Sequence, residues 1–258
     1  MKAKWFTTSP LSHQSIIDQY STFIDHANSL NLLTRSTKKQ NAALDDIDEF
    51  IWHLKHFKSQ ATQANDEHFA NLMFCFQCTL RAVQSSIKMW TLLKHSKYEK
   101  AWSSFVDADE YLGVALKSED YPGARLLEQN LKDIRSTIFP HNFVYNSLGF
   151  TSTIGKCSIC HEHFGDCSHI EGKIHWGKLC RRVDIKILDV NHAAIVANPR
   201  DPRCIFTAIQ DDDGQWIDVF TLDTADSDEN DEGSEGDAAT GGRRARGILL
   251  CTSTLDFD

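Results

Sequence analysis

CSICHEHFGDCSH, residues 157–169, gathers three cysteines and three histidines into thirteen positions and stands where two kinds of sequence meet. Zinc favours four donors, thiolate or imidazole, in a tetrahedron. Cys157-x2-Cys160 lets two sulfurs of one tight turn reach a single ion, Gly165-Asp166 reverses the chain, and Cys167-x-His169 brings back a second pair. Cys157, Cys160, Cys167 and His169 thus form a compact knuckle with a closed Cys3His shell for a structural Zn2+. Cys180, thirteen residues past Cys167, competes with His169 for the fourth position. An iron–sulfur cluster fits less well, because histidine replaces one thiolate. Free cysteine ordinarily behaves as a small buried hydrophobe, which the surrounding His, Glu, Asp, Ser and Gly do not suit.

Upstream, the sequence reads as helices. Ile16, Ile17, Tyr20, Phe23, Ile24, Ala27 and Leu30 mark one face at helical spacing after a Ser9-Pro10 start. A second stripe runs Leu44, Ile47, Phe50, Ile51, Leu54, Phe57, and a third Phe69, Leu72, Met73, Phe76, Leu80, Val83, Ile87, Trp90. Ser96-x-x-Glu99 has the pattern of a capping box for a fourth helix. A fifth follows Pro122-Gly123 and ends before Pro140. Short links between amphipathic helices favour antiparallel neighbours, hence a bundle.

Downstream, alternation and β-branched residues appear in RVDIKILDV, HAAIVANP, CIFTAIQ and QWIDVFTL, with Asp212-Asp213-Gly214 as a hairpin signal. From Asp223 to Asp237 eight of fifteen residues are acidic and none is an aliphatic or aromatic anchor beyond alanine, a composition that predicts disorder. GGRRARG extends the expected flexible stretch, and ILLCTSTLDFD ends it with a strand-like run suited to docking on a partner or on the chain's own sheet. The expectation is an α+β chain: an antiparallel helical bundle over 1–145, a small zinc-stabilised β-rich domain over 146–222, and an acidic flexible tail over 223–258.

Charge and length narrow the function. The 258 residues are long enough to bury a core without covalent staples. Residues 1–150 carry 16 basic against 16 acidic side chains, 151–222 carry 8 against 10, and 223–258 carry 3 against 10. The net charge of −9 therefore sits mostly in the tail, and no broad basic footprint of a nucleic-acid binder appears. There is no apolar run of membrane-spanning length and no apolar core of a signal peptide, so a cytoplasmic location without membrane partners is the expectation. In that setting clustered cysteines read as metal ligands rather than disulfides.

A catalytic zinc keeps one position open for water, whereas a full Cys3His shell leaves none and three thiolates blunt Lewis acidity. Glu162 or Glu171 would be the general base of a zinc hydrolase or nuclease-like effector, with Asp211, Asp212 and Asp213 as a second cation site. The H-x-E…P-C-x-x-C signature of zinc deaminases is absent, however. The reading therefore leans away from an enzyme and toward an interaction protein with a protein partner. Nucleic-acid contact through Lys173, Trp176, Lys178, Arg181 and Arg182 is the less favoured alternative. Cys75-x2-Cys78, inside an apolar helix, reads as core packing, and His53 with His56 as a solvated face.

KYEKAWSSFVDADEYLGVAL, IFPHNFVYNSLGF and KCSICHEHFGDCSHIEGKIHWGKLCRRV, leading into AAIVANPRDPRC, together resemble a group of uncharacterised bacterial and prophage-borne proteins. These pair a helical front half with a C-x2-C-x6-C-x-H-x2-G-x4-G-x2-C zinc segment and a following strand that ends in N-P-x-x-P. The resemblance spans roughly Tyr98 to Cys204. It implies Cys157, Cys160, Cys167 and His169 as ligands, with Gly172, Gly177 and Cys180 as further pattern positions, and a zinc-bound module rather than a reaction. It also implies an accessory role in a mobile-element or antiphage defence system. This chain departs from the group at His161, where glycine is expected, and at His175-Trp176, where tyrosine is expected before the second glycine.

Overall fold

The computed structural model describes Trp5, 12–32, 36–117, 122–140, 143–225, 244–248, Leu255 and Phe257. Five helices come first: α1 (His13–Leu30), α2 (Thr37–Gln63), α3 (Glu67–Leu93), α4 (Tyr98–Ala115) and α5 (Pro122–Ile138). The expected Ser9-Pro10 start lies outside the described residues. The Ser12 hydroxyl instead accepts the Ser15 N–H at 3.2 Å and caps α1, and Ser36 and Asp66 cap α2 and α3 in the same way.

α3 is the axis of the bundle because its middle, Leu72–Leu80, is buried on every side. Leu72, Met73, Phe74, Cys75 and Phe76 are consecutive and all buried, the pattern of a helix surrounded by protein. It packs against α1, α2 and α4. Tyr20 stacks on Phe76 with ring centroids 3.6 Å apart, and Phe23 stacks on Phe50 at 4.3 Å. Cys75 and Cys78 are core residues, as expected, and the Cys75 thiol donates to the Ala115 carbonyl at 3.1 Å.

The expected capping box of α4 is not formed. Ser96 has φ +54 and closes the C-terminus of α3, with the N–H groups of Ser96 and Lys97 donating to the carbonyls of Leu93 and Leu92. The N-cap of α4 is Lys97, which makes no side-chain cap bond. A residue held in the left-handed region to end one helix cannot also adopt the extended conformation that an N-cap needs.

Among the described residues nine strands follow: β1 (Tyr145–Ser152), β2 (Lys156–Cys157), β3 (Ile174–His175), β4 (Lys178–Leu179), β5 (Arg182–Val183), β6 (Ile187–Val196), β7 (Phe206–Gln210), β8 (Trp216–Asp218) and β9 (Ala245–Gly247). The pairings are β1 with β6, β2 with β5, β3 with β4, and the three-stranded order β8-β7-β9. β6 is one ten-residue strand where two were expected, because nothing in ILDVNHAAIV breaks an extended chain. The hairpin at Asp212-Asp213-Gly214 forms: Gly214 has φ +81 and the Asp211 carboxylate accepts the N–H groups of Asp213 and Gln215 at 3.0 and 2.8 Å.

By contacts the chain divides into two units. One comprises Met1–Asp133, Ser152–Lys186 and Thr254–Asp258, the other Ile134–Thr151 and Ile187–Ser253. The cysteine–histidine segment thus groups with the helices, not with the strands that follow it. In the second unit Arg203 is 2 % exposed and its guanidinium meets Asp201 at 3.0 Å, fixing the turn after the N-P-x-x-P stretch.

The expected flexible tail also differs in its described parts. Arg246, within GGRRARG, pairs with Ala208 as part of edge strand β9, and its guanidinium lies 4.1 Å from the Trp216 ring centroid. Phe257 is buried in the first unit. The acidic stretch 226–237 lies outside the described residues. Among the described residues no helix is long and apolar enough to cross a membrane.

Candidate metal centre

Local backbone chemistry shapes the turn that carries Cys157 and Cys160. The Cys157 N–H donates to the Glu162 carbonyl and the His161 N–H to the Cys157 carbonyl, both at 2.9 Å. Closing so tight a loop requires a left-handed residue after the second cysteine, and His161 has φ +61. Here the histidine adopts the conformation for which glycine would be the unstrained choice, so the departure from the resembling group leaves the turn intact. After it, the Asp166 N–H donates to the His163 carbonyl at 3.0 Å and turns the chain back toward Cys167.

The result is the expected convergence. One donor atom each from Cys157, Cys160, Cys167 and His169 lies within 4.8 Å of all the others, so the four can hold a metal ion. Cys157 is fully buried, Cys167 and His169 are half-buried, and Cys160 is at the solvent edge. The donor set of three thiols and an imidazole suits zinc. His169 Nδ1 is buried without a hydrogen-bond partner. A buried ring nitrogen left without a partner is what a ligand position looks like before its ion is counted.

The sulfur of Cys157 is prepared for a metal by its surroundings. Burial pushes its thiol up, but the N–H groups of Cys160 and Ile159 point at the sulfur, as does the Cys160 thiol. Together with Cys180 they bring it down to about 6. The Ile159 N–H lies 3.4 Å from Sγ. Cys180, also fully buried, has its Sγ 3.8 Å from that of Cys157. That distance suits either an S–H···S bond or a shared ion. Burial, followed by the Cys157 contact, pushes the Cys180 thiol up to about 12, which favours a protonated neighbour beneath the site.

Longer-range contacts fix the knuckle in place. The Ser158 hydroxyl donates to the Leu179 carbonyl and accepts the Arg181 N–H, both at 2.9 Å, stapling the first turn to the link between β4 and β5 that carries Cys180. β3 and β4 form a hairpin whose two-residue turn, Trp176-Gly177, has φ +50 and +69. The Trp176 N–H donates to Glu67 Oε1 at 3.2 Å and the Gly177 N–H to Asn71 Oδ1 at 2.7 Å. Both acceptors lie on the first turns of α3, so the hairpin seats the segment on the bundle's central helix. Sequence reading did not find Glu67 and Asn71. Their only signal was the glycine at 177, a position the resemblance marked without a role.

The other candidates fall differently. Arg182 Nε donates to Glu171 at 3.1 Å, and the Arg181 guanidinium lies 4.8 Å from the Phe257 ring centroid. Both arginines are therefore engaged internally, which leaves Lys173, Trp176 and Lys178 exposed from the set considered for nucleic-acid contact. Glu171, one of the two carboxylates considered as a base, is the one held by Arg182. Asp211 is occupied with its hairpin turn. No family model matches the chain, and no curated protein or solved structure matches it either.

Proposed function

We propose that this chain is a non-catalytic zinc-binding interaction protein, in which Zn2+ held by Cys157, Cys160, Cys167 and His169 locks the knuckle and its hairpin onto α3. The carrying observation is the convergence of those four donors on one point. Four protein donors complete a tetrahedral shell and leave no vacancy for substrate or attacking water. The metal's role is then to make a rigid surface from a segment with little core of its own, and that surface is offered to a protein partner. Cys180 stays a thiol that donates to Cys157.

The test is metal analysis with cobalt(II) substitution of the purified chain. One ion per chain is expected, with a tetrahedral thiolate spectrum unchanged by added anions. Cys180→Ser is expected to keep the metal and the spectrum. An exchangeable solvent position on the ion, or loss of the metal in Cys180→Ser, would sink the assignment. The resemblance to prophage-borne proteins motivates the setting we propose, an accessory role in antiphage defence. Deletion in a native host should then raise phage plating efficiency, and unchanged plating across a phage panel would remove that setting.

A further inference from the structure

β6 is the longest strand among the described residues, and Ile187 to Ala193 within it are all exposed. Leu188, Val190 and Ile195 are 65, 54 and 72 % exposed, and Ile187 is 48 % exposed. Side chains alternate along a strand, so Leu188 and Val190 stand on one face and Ile187 and Ile195 on the other. β1 has a neighbour on its far side near its start. There the Asn146 N–H donates to the Cys204 carbonyl at 2.8 Å and the Phe206 N–H to that of Val144 at 3.1 Å. Among the described residues β6 pairs with β1 alone, so it is the outer edge, and no strand covers its second row of N–H and C=O groups. Proteins blunt such edges with lysine or proline, and Ile187–Val196 contains neither. An edge so apolar on both faces is short of a neighbour, because two-stranded ribbons are marginal in water and a third strand stabilises them.

We infer that β6 is a dimerisation strand, which pairs antiparallel with β6 of a second copy about a two-fold axis through Asn191. Such an axis stands perpendicular to the sheet and keeps each face on its own side. It therefore sets opposite one another only residues whose numbers differ by an even count. Centred on Asn191, it places Ile187 opposite Ile195 of the second copy, Leu188 opposite Ala194 and Val190 opposite His192. Asp189, the one carboxylate of the strand, then faces Ala193, and the two Asn191 amides meet each other. Centred one residue further, the axis would set His192 against itself and Asp189 against Ile195, a poorer match of cross-strand pairs. The favoured register also pairs almost the whole strand. Its four large apolar residues expose roughly 450 Å2 per copy, within the range at which a patch marks an interface. With both copies and the main chain between them counted, the pairing approaches the roughly 1,200 Å2 at which specific interfaces begin. A second copy brings this complementarity by construction. Each copy's outer edge is consumed by the pairing, so the assembly closes at two.

The experiment is sedimentation equilibrium of the full chain and its Leu188→Lys/Ile195→Lys variant, with hydrogen exchange of the β6 amides across a dilution series. The wild type is expected at twice the 29.3 kDa chain mass, and its β6 amides should lose protection as dilution dissociates it. The double substitution alters only exposed side chains and should weaken association by about a hundredfold, the loss of both apolar anchors and the gain of charge along the edge. Register is read separately from single cysteines under oxidised glutathione, with the cross-link mapped by mass spectrometry. Asn191→Cys should join copy to copy through position 191, since facing residues of an antiparallel pair lie within disulfide reach, whereas Asp189→Cys should not link to itself. A monomeric wild type would overturn the proposal, and β6 amides protected in that monomer would mean that the chain covers this edge itself. A dimer indifferent to the lysines, or one that Asp189→Cys links and Asn191→Cys does not, would overturn it too. None of the proposed zinc donors lies on β6, so every variant should keep its metal, which separates failure here from failure of the metal assignment.

Discussion

Cys157→Ser will strip the metal and release the knuckle while leaving the helices folded. Cys157 has the most to lose: it is fully buried, it accepts the N–H of Ile159, and it lies against Cys180. Apparent metal-binding free energies of structural zinc sites are about 10–16 kcal/mol, more than a segment with so few buried apolar groups can replace. By contrast α1 to α4 bury Phe23, Phe50, Phe74, Phe76, Leu80 and Leu112 among themselves. Far-UV circular dichroism should therefore keep its helical signal. Trypsin, slow on the wild type, should cut at Lys173, Lys178, Arg181 and Arg182 in the variant or after a strong chelator. The pH dependence has a definite sign. A thiol brought down to about 6 contributes stability that is present above the ordinary thiol range and lost as pH falls through about 6. A bound ion competes with the protons, so metal release is expected at or below that pH. If chelated protein resists trypsin as the wild type does, the metal does not hold this segment.

What could be read from sequence follows from the range of the interactions involved. The helices were legible because each depends on a period of 3.6 residues within its own segment, whereas the central place of α3 shows only in the burial of residues off that stripe, such as Phe74 and Cys75. The four donors were legible because their spacing is confined to thirteen residues. Ser96 misled because Ser-x-x-Glu fits a cap locally, whereas the residue is spent on ending α3. β9 could not be seen in GGRRARG because a three-residue strand exists only by pairing with β7, some forty residues away. Phe257 gave no sign of its seat for the same reason: Tyr111 and Arg181 are assembled only by the fold. The boundary at 145/146 follows the change from helical to strand periodicity, but Trp176 and Gly177 bond to α3, more than a hundred residues upstream. Periodicity locates elements and is silent on which of them touch.

Gly177→Ala tests that docking directly. Gly177 has φ +69, a conformation costing an L-residue about 1–2 kcal/mol. A Cβ there would also sit 2.8 Å from the Ala70 carbonyl oxygen and 2.7 Å from Lys58 Cδ. The lysine can swing away, but the carbonyl belongs to α3 and cannot. The hairpin must back off, stretching the 2.7 Å bond from Gly177 N–H to Asn71 and leaving a buried donor short of its acceptor, worth roughly 1–3 kcal/mol. The sum is a loss of about 2–5 kcal/mol, which lowers the melting temperature of a unit of this size by roughly 5–15 °C. Asn71→Ala removes the acceptor without touching the turn and should lose only the hydrogen-bond share. Neither substitution reaches a metal donor, so both proteins should retain one ion per chain while their hairpin amides exchange faster. An unchanged melting temperature in Gly177→Ala would mean that the hairpin does not rest on α3, and the metal would then be stabilising a segment free of the bundle.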